Sequence, residues 1–535
     1  MTATIQTFLL LFAVLVVVAV VARRLNIASS ILLVVAGILL ALIPGLPRIA
    51  LAPELVLLGI LPPLIYSAGV AMSWREFRFN LRPIILLAFG CILFTAWAVA
   101  AVSHYLLGMP WAVGFVLGAI VAPTDVVAPL AIVRRLGLPR RLVVVLEGEG
   151  LANDATALIL YRFAVAAVGT HVFSAGTAIS EFALIVVGEI AYGVGIGWVS
   201  LRLRRWAQDP RVEITLSLMT PYVAFLLPAH VGGSGVLATV VVGLYISWNG
   251  LRLISAATRL QGIFFWDLLI YLLEGLVFLV TGLQLRILIE RTDPVLLHQL
   301  ALAVPLVVAV VVLARFIWVY PAAYVPRWLS PSLKRRDPVP TWQFLFMLGF
   351  TGVRGVVSLA AALALPLTTS AGAQFPYRDL ILFVTFGVIV VTLIGEGVVL
   401  APVVRWLALP RDADEERRRE NAAELKARLQ TLKVAEAELE RLSADCTIES
   451  SVLALLRAGQ EHRIRQVPKD ADGKEAVAVA LALRADLISA ERAHIYQLLR
   501  DGQITDEARR RIERELDLEE AAITLEREDE EDPPL

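Results

Sequence analysis

The sequence predicts an all-α membrane protein that crosses the bilayer many times and ends in a helical cytoplasmic tail. Three observations predict this class. Hydrophobic residues make up 58% of the chain, and its mean hydropathy is +0.74, whereas soluble domains are about 45–50% apolar. Apolar runs long enough to span a bilayer recur along the first 410 residues. The loops between these runs are alternately rich and poor in positive charge.

The formal net charge of zero conceals two oppositely charged parts. From Arg411 onward there are 21 Lys and Arg against 31 Asp and Glu, which leaves 27 against 17 in the first 410 residues. We therefore divide the chain into a transmembrane domain, residues 1–410, and a helical cytoplasmic regulatory tail, residues 411–535. The only two cysteines, Cys91 and Cys446, indicate neither a disulfide framework nor a metal site.

About thirteen segments qualify as membrane-spanning helices. They cover residues 6–23, 29–45, 52–72, 83–106, 110–133, 142–168, 177–202, 212–229, 233–249, 262–285, 298–325, 340–366 and 379–406. Loops after odd-numbered segments carry nineteen Lys and Arg, and loops after even-numbered segments carry four. The positive-inside rule then places the N-terminus outside and the C-terminus in the cytoplasm. We expect a multi-pass protein of the plasma membrane, which in a bacterium is the inner membrane.

The fifth segment carries an acidic residue inside a helix break. Asp125 lies between Pro123 and Pro129, and two prolines this close remove backbone donors and interrupt a helix. A broken helix at membrane depth is tolerated only inside protein or beside a cavity. A purely structural kink is the alternative, but a kink does not require an acidic side chain. The pattern favours a functional site around Asp125.

The sixth segment carries a second group of polar residues. Glu149 and Asn153 are four residues apart and share one helix face, and Gly150 and Asp154 share the neighbouring face. Because glycine has no side chain beyond hydrogen, this face allows another backbone to approach closely. We therefore expect Asp154 to face a crowded interior. A buried aspartate with a purely structural hydrogen bond or ion pair is the alternative.

The twelfth segment contains an arginine, Arg354, between Gly352 and Gly355. An unpaired arginine in a membrane is costly, so we predict a structural ion pair with Glu149. Segments five and twelve are seven apart and so run in opposite directions, as expected for inverted repeats with two broken, crossing helices. Asp125 then offsets the positive N-terminal ends of the half-helices, and Arg354 offsets the negative C-terminal ends.

Five motifs in this order resemble one transporter family. They are Leu61-Pro62-Pro63, Pro123-Thr124-Asp125, the run from Gly148 to Asp154, the run from Ser234 to Ala238, and the run from Gly352 to Gly355. Together they are similar to the cation/proton antiporter family that includes bacterial sodium/proton antiporters and animal sodium/proton exchangers. The resemblance covers the whole membrane part.

The resemblance implies a secondary transporter and not an enzyme. It implies a homodimer in the lipid membrane, whose moving core contains segments five, six, twelve and thirteen. Asp154 would bind a monovalent cation and a proton in turn, Thr124 and Asp125 would line the same site, and Asn153 goes with electroneutral exchange. It also matches Glu149 and Arg354 to the family's structural ion pair. We expect neither a cofactor nor a nucleic acid as a partner.

Two departures from the family pattern concern ion selectivity. Ser67 or Ala68 stands where sodium-binding members often carry an acid, and Gly150 stands where many carry serine. The site is therefore poorer in oxygen ligands. Sodium remains the first expectation, lithium and potassium stay open, and a potassium/proton antiporter on the same scaffold is the alternative.

Two other functional classes are less compatible with the sequence. Gly232-Gly233-Ser234-Gly235 resembles the serine motif of rhomboid proteases, but many spans and two broken helices do not suit a membrane-embedded protease. A channel is also conceivable on this scaffold. Buried, opposed half-helices with one titratable site suit a carrier better.

The tail has the pattern of charged helices. Leucines follow a three/four spacing at Leu425, Leu429, Leu432, Leu439 and Leu442. A second helix is expected near 475–500, and a third after Gly502 with Thr505 as its cap. We expect the acidic end from Glu526 to Asp532 to be disordered. No nucleotide-binding fingerprint occurs in the tail.

Overall fold

The structure is a computed structural model, and it describes residues 2–25, 27–44, 51–136, 138–170, 175–250, 253–290, 294–337, 339–369, 372–407, 410–445, 450–466, 471–501 and 503–531. These residues are helical nearly throughout, and the only β-type pairing described among them is an isolated bridge between Thr368 and Gln374. The chain divides into two compact units, Met1–Leu409 and Pro410–Leu535.

The helices of the first unit follow one another with short connections. They are α1 Thr2–Leu25, α2 Ser29–Ala41, α3 Leu61–Ala71, α4 Trp74–Phe79, α5 Leu81–Ile85, α6 Ile92–Leu107, α7 Trp111–Val121, α8 Val127–Arg135, α9 Arg140–Thr170, α10 Ala175–Ala207, α11 Pro210–His230, α12 Val236–Asn249, α13 Ala256–Glu290, α14 Pro294–Leu329, α15 Pro331–Arg336, α16 Trp342–Phe350, α17 Val356–Leu363 and α18 Arg378–Leu407. A π-helical stretch, Leu55–Ile60, leads into α3, and another, Leu86–Cys91, joins α5 to α6.

The lengths and compositions of these helices confirm the predicted all-α membrane class. Among the described residues, seven helices are long and apolar enough to cross a membrane, and four apolar segments are shorter. Each of the thirteen predicted segments coincides with one helix or with two half-helices. The number of actual crossings stays a prediction.

Both predicted helix breaks are present. Residues 122–126 separate α7 from α8, and residues 351–355 separate α16 from α17. Pro123 lies in the first break, where its missing N–H cannot continue the hydrogen-bond ladder of α7. Gly352 and Gly355 lie in the second break, and glycine is a poor helix former.

The half-helices are buried at the centre of the membrane unit. One apolar cluster joins residues of α6, α7, α14, α17 and α18 and includes Val121, Val311, Ala362 and Val384, which are all fully buried. A second cluster joins α1, α2, α13, α17 and α18 and includes Val34, Leu279 and Leu393. The two breaks are therefore surrounded by protein, as a break at membrane depth requires.

The second unit contains four helices in the described residues: α19 Pro410–Asp445, α20 Ser450–Gln466, α21 Ala471–Arg500 and α22 Asp506–Glu531. Leu481, Ile488 and Ile495 of α21 pack against Leu516 and Ile523 of α22. These residues repeat every seven positions, which is the spacing of a helix–helix seam.

The structure corrects two expectations about the tail and fits a third. It contains α20, which was not predicted, and α22 continues to Glu531 where disorder was predicted from Glu526. Extending a helix that is already formed costs much less than starting one, so the acidic sequence continues α22; Asp532, the last residue of the predicted disordered segment, lies outside the described residues. The side chain of Thr505 accepts a hydrogen bond from the Ala508 N–H at 3.2 Å, as expected of a cap.

Candidate ion-binding site

The two helix breaks touch each other directly. The backbone N–H of Asp125 in the first break donates a hydrogen bond to the carbonyl of Val353 in the second, at 2.7 Å. Gly355 lies so close to the Asp125 side chain that a Cβ at residue 355 would overlap the carboxylate. Only glycine leaves space for the Asp125 carboxylate, so the contact between the two breaks requires glycine at position 355.

Asp125 lies where two helices begin. Its Oδ1 accepts a hydrogen bond from the N–H of Val127, the first residue of α8, at 2.9 Å. The neighbouring Gly355 immediately precedes Val356, the first residue of α17. Two helix N-termini, each with partial positive charge, therefore meet at one carboxylate. This arrangement fits the compensating role expected for Asp125.

Two buried arginines lie where the other half-helices end. Arg354 donates from Nε to the carbonyl of Val121, the last residue of α7, at 3.0 Å, and from Nη1 to the carbonyl of Gly352. Arg315 donates from Nε to the carbonyl of Leu348 near the end of α16, at 3.0 Å. The partial negative charges at both C-terminal ends are therefore satisfied by guanidinium groups.

The partner of Glu149 differs from the prediction. Arg315 of α14 forms the ion pair, with Nη2 2.9 Å from Glu149 Oε2 and Nη1 bonded to Oε1. The prediction of a Glu149–Arg354 pair is wrong because the guanidinium of Arg354 is directed at the backbone carbonyls that the breaks leave without intrahelical donors. Arg315 lies on an unbroken helix and is available to Glu149.

One face of α9 fixes the position of Thr124 in the first break. The Thr124 hydroxyl donates to Glu149 Oε1 at 3.1 Å. Asn153 Nδ2 donates to the Thr124 carbonyl at 2.7 Å and lies 3.2 Å from its hydroxyl oxygen. Asn153 is fully buried, and its Oδ1 has no hydrogen-bond partner among the described residues. Glu149 and Asn153 thus fix Thr124 and the backbone of the first break from the side that does not line the cavity.

Polar side chains of α18 hold the second break in a similar way. Glu396 Oε2 accepts a hydrogen bond from the N–H of Gly352 at 2.8 Å. Thr392 Oγ1 accepts one from the N–H of Arg354 at 3.1 Å. These bonds satisfy backbone donors that lose their helical partners at the break.

Asp154 faces a cavity of about 400 Å³ beside the crossing. The first break, α3, α9, α13 and α17 form its walls, and most lining side chains are apolar. The lining oxygen-bearing side chains are those of Thr124, Asp125, Glu147, Asp154, Glu274 and Ser358. Since a single water needs only about 10–15 Å³ by this measure, the cavity is large enough for a hydrated cation.

The comparison with known proteins assigns the family. The transmembrane domain of the sodium/hydrogen exchanger family matches residues 10–406. The chain belongs to the sodium/hydrogen exchanger family. This confirms the resemblance found in the five motifs, and the matched residues lie in the membrane unit.

Curated relatives match this chain over most of its length. An uncharacterized Na⁺/H⁺ exchanger of Mycobacterium bovis is 34% identical, over 96% of this chain and 95% of the relative. A Na⁺/H⁺ antiporter of Aphanothece halophytica is 30% identical, over 83% and 82%. A sodium, potassium, lithium and rubidium/H⁺ antiporter of Bacillus pumilus is 33% identical, over 68% of this chain and 56% of the relative.

A solved structure shows the same fold. The sodium/proton antiporter of Methanocaldococcus jannaschii, determined by electron microscopy, superposes on this chain with a TM-score of 0.61 at 20% identity. The match covers 76% of this chain and 98% of the other.

The structure separates the predicted site residues into two groups. Thr124, Asp125 and Asp154 line the cavity, whereas Asn153, Glu149 and Arg354 lie behind the breaks and do not. Ser67 was expected to face the site, but its neighbour Ala68 lines the cavity instead. A single step along a helix turns a side chain by about 100°, which directs Ser67 away.

The structure also explains why position 150 carries glycine. A Cβ on Gly150 would lie 2.5 Å from Cγ2 of Val126, in the first break. A serine here requires Val126 to move. The absence of a serine oxygen at position 150 therefore accompanies the close packing of α9 against the first break.

The sequence reasoning assigned no place in the site to Arg315, Glu274 or Ser358. In the structure, Glu274 and Ser358 line the cavity and Arg315 contacts Glu149. The sequence signal was present for two of them, since charges at membrane depth usually line an interior. Only the packing of α13 and α14 reveals that Glu274 faces the cavity and that Arg315 faces Glu149.

Ser234, in the motif that resembles the serine motif of rhomboid proteases, is hydrogen-bonded to a buried carboxylate. Glu189 of α10 accepts hydrogen bonds from the Ser234 hydroxyl at 3.0 Å and from the Gly235 N–H at 3.0 Å. It also accepts one from the Ala238 N–H at 3.2 Å. Glu189 therefore caps the N-terminus of α12. The contacts of Ser234 favour a role in positioning α12.

Proposed function

We propose that this protein exchanges a monovalent cation for protons across the plasma membrane, with both ions competing for Asp154. The observation that carries this proposal is the position of Asp154. Its carboxylate faces a cavity beside two broken helices whose backbone charges are compensated by Asp125, Arg354 and Arg315. Asp154 is not needed for that compensation and remains available to an ion.

The cation is held by oxygen atoms in this proposal. Hard monovalent cations favour carboxylate, carbonyl, hydroxyl and water oxygens. Asp154 and Thr124 provide the first ligands, and Asp125 and Ser358 contribute from the same cavity. Asn153 acts indirectly, because its bond to the Thr124 carbonyl fixes the orientation of that group. Protonation of Asp154 removes the negative charge and releases the cation.

Alternating access in this proposal comes from motion of the half-helices as one body. The Arg315–Glu149 pair, the bonds to Thr124 and the Asp125–Val353 bond connect α9, α14 and both breaks. The opposite cavity wall is mostly apolar and includes Leu61 and Ala68 of α3 and Phe278 of α13. Among the described residues, these wall side chains form no hydrogen bonds with the site, and such an apolar surface permits sliding. We propose that the wall belongs to the static part of a homodimer.

Sodium is the first expectation for the cation, and lithium and potassium are the alternatives. The Aphanothece halophytica relative is named a Na⁺/H⁺ antiporter, and the Bacillus pumilus relative is named for sodium, potassium, lithium and rubidium. Ala68 leaves the α3 wall without an acidic ligand. Because fewer fixed oxygens discriminate less by cavity size, this observation favours broad selectivity, and a potassium/proton antiporter is the second candidate.

Reconstitution into liposomes containing a pH dye tests the function. We expect Na⁺, Li⁺ or K⁺ gradients, imposed one at a time, to drive proton movement in the opposite direction. Proteoliposomes with Asp154→Asn are the matched control. Absence of proton flux with every cation would contradict antiport. Currents of single-channel amplitude would indicate a channel.

We propose that the N-terminus lies outside and that the tail, α19–α22, is a cytoplasmic unit with a regulatory or dimer-stabilising role. The support is the loop charge pattern and the separate apolar seam between α21 and α22. Protease added to intact cells should leave the tail uncut, and protease added to inverted vesicles should remove it. The opposite pattern would reverse the assigned orientation.

A further inference from the structure

The cavity beside Asp154 extends towards one face of the membrane. Its lining residues on α9 are Glu147, Gly150, Leu151 and Asp154, and Asp154 is the one nearest the C-terminal end of that helix. On α3 the lining continues to Ala71, the last residue of the helix. The start of α9 and the end of α3 both adjoin loops rich in arginine. On the proposed topology, the cavity therefore extends from the ion site towards the cytoplasm.

On the other side of Asp154, α9 contacts α12 and the connection that precedes it. Ala155 of α9 and Val236 of α12 belong to one apolar cluster. Arg162 lies eight residues beyond Asp154, which is about 12 Å along the helix. Its Nη1 donates a hydrogen bond to the carbonyl of Gly233, in the connection before α12. This polar contact therefore lies on the outer side of the ion site.

The Gly233 carbonyl belongs to a tightly packed part of the protein. The Gly233 N–H donates to the carbonyl of Pro228 at 2.8 Å, and a Cβ at position 233 would lie 2.7 Å from Oε1 of Glu189. The following helix, α12, lies directly against α3, since a Cβ on Gly243 would lie 2.9 Å from Cα of Gly69. The acceptor of the Arg162 bond is thus fixed to the helix that forms the apolar cavity wall.

The donor side of this contact is adaptable. The Arg162 side chain is long, and the residue is exposed. Breaking its bond to Gly233 therefore leaves the guanidinium hydrated and not buried without a partner. Glu189, which caps α12, attracts the guanidinium electrostatically and favours its return. A flexible donor opposite a fixed acceptor suits a contact that forms and breaks repeatedly.

We propose that the Arg162–Gly233 bond is an external latch, which holds the ion site open to the cytoplasm. The proposal rests on the alternating access proposed above. For Asp154 to open to the outside, the outer part of α9 has to move relative to α12, and this movement breaks the bond. Arg162 is therefore a positioning residue: it does not bind the cation, but it sets the ratio between the inward-open and outward-open states.

Thiol labelling of the full-length protein in membrane vesicles tests the latch. Val357→Cys places a reporter in the cavity wall, in the first turn of α17. The background carries Cys446→Ser and retains Cys91, which is 4% exposed; the same background without the reporter gives the unspecific labelling. A membrane-impermeant maleimide is applied to right-side-out vesicles and to inverted vesicles. The ratio of the two labelling rates measures the side to which the cavity is open.

Three variants examine the two partners of the bond. Arg162→Met removes the charged donor and keeps the apolar stem, whereas Arg162→Lys keeps a charged donor. Val231→Ala is the matched control, because Val231 lies in the same connection as Gly233 and its side chain is 81% exposed. We expect the parent protein and Val231→Ala to be labelled faster from the cytoplasmic side. Arg162→Met should raise the ratio of outer to cytoplasmic labelling several-fold, because a hydrogen bond from a charged donor is lost in one state only. Arg162→Lys should remain closer to the parent.

An unchanged ratio in Arg162→Met would overturn the latch, as would faster labelling of the parent from outside. If Arg162→Met does not fold, Gly233→Ala takes its place: the carbonyl must shift to relieve the contact of the new Cβ with Glu189, and an unchanged ratio there would overturn the proposal. Labelling needs no cation gradient. An unshifted ratio in a protein that exchanges cations therefore refutes the latch alone, whereas absence of exchange refutes the proposed function whatever the labelling shows.

Discussion

Arg315 of α14 and Glu149 of α9 form an ion pair inside the membrane unit, with both residues 1% exposed. The pair joins an unbroken helix to the helix that carries Asp154. Glu149 also accepts the hydroxyl of Thr124 at 3.1 Å. A substitution of either residue should therefore disturb the position of Thr124 in the first break without removing a side chain that lines the cavity.

Removing one member of this pair should destabilise the protein more than removing both. Breaking a buried pair leaves an uncompensated charge and typically costs about 3–5 kcal/mol. We expect Glu149→Gln and Arg315→Gln each to lower the melting temperature in detergent strongly. The double variant should fall short of the sum of the two losses, because no lone charge remains.

The same cycle with Arg354 separates the observed pair from the predicted one. Arg354 contacts the carbonyls of Val121 and Gly352 and not Glu149. The losses from Glu149→Gln and Arg354→Gln should therefore be closer to additive. A stronger coupling of Glu149 to Arg354 than to Arg315 would contradict the arrangement described above.

Asp154→Asn should abolish exchange while the protein stays folded. The substitution removes the exchangeable charge and changes little volume. Proton flux driven by a cation gradient in proteoliposomes measures the effect, and Asp379→Asn, at an exposed position 56% accessible, is the matched control. Substantial flux in Asp154→Asn would remove this residue from its proposed role.

Glu274→Gln should weaken the apparent affinity for the cation and leave the maximal rate nearly unchanged. Glu274 lines the same cavity as Asp154 but belongs to α13, on the opposite wall. An ionised carboxylate there contributes on the order of 1 kcal/mol to cation binding, which is a several-fold change in the half-saturating concentration. The measurement is exchange rate against cation concentration at low ionic strength. Glu274→Asp keeps the charge and should retain most of the affinity, and an unchanged half-saturation in Glu274→Gln would exclude this contribution.

Exchange should be electroneutral and should show competition between cation and proton. One carboxylate, Asp154, exchanges one cation for one proton, and Asn153 carries no charge. The membrane potential acts on net transported charge at about 2.3 kcal/mol per 100 mV, so the end point should not move with voltage. Where the site is mostly protonated, the half-saturating cation concentration should rise about tenfold per unit fall in pH, because the ligand must be deprotonated. A steady current, or an end point that shifts with an imposed potential, would indicate a second titrating group, and Asp125 is the first residue to examine.

The sequence by itself determined the membrane class, the two helix breaks and which residues share a face of one helix. These features depend on local physics: apolar length, proline and glycine inside a helix, and the 3.6-residue repeat that separates Asp154 from Asn153. The family motifs of this chain are local in the same sense, and the match to residues 10–406 confirmed them.

Only the tertiary structure decided which residues meet across helices. Several charges lie at membrane depth, and the sequence gives no distance between α9, α14 and the second break, so Arg354 was chosen where Arg315 is the partner. Glu274 and Ala68 reach the cavity, and Ser67 does not, because of the rotation of α13 and α3 about their axes. That rotation is set by packing against neighbouring helices. Partners of buried charges are therefore determined by the assembled bundle and not by any single segment.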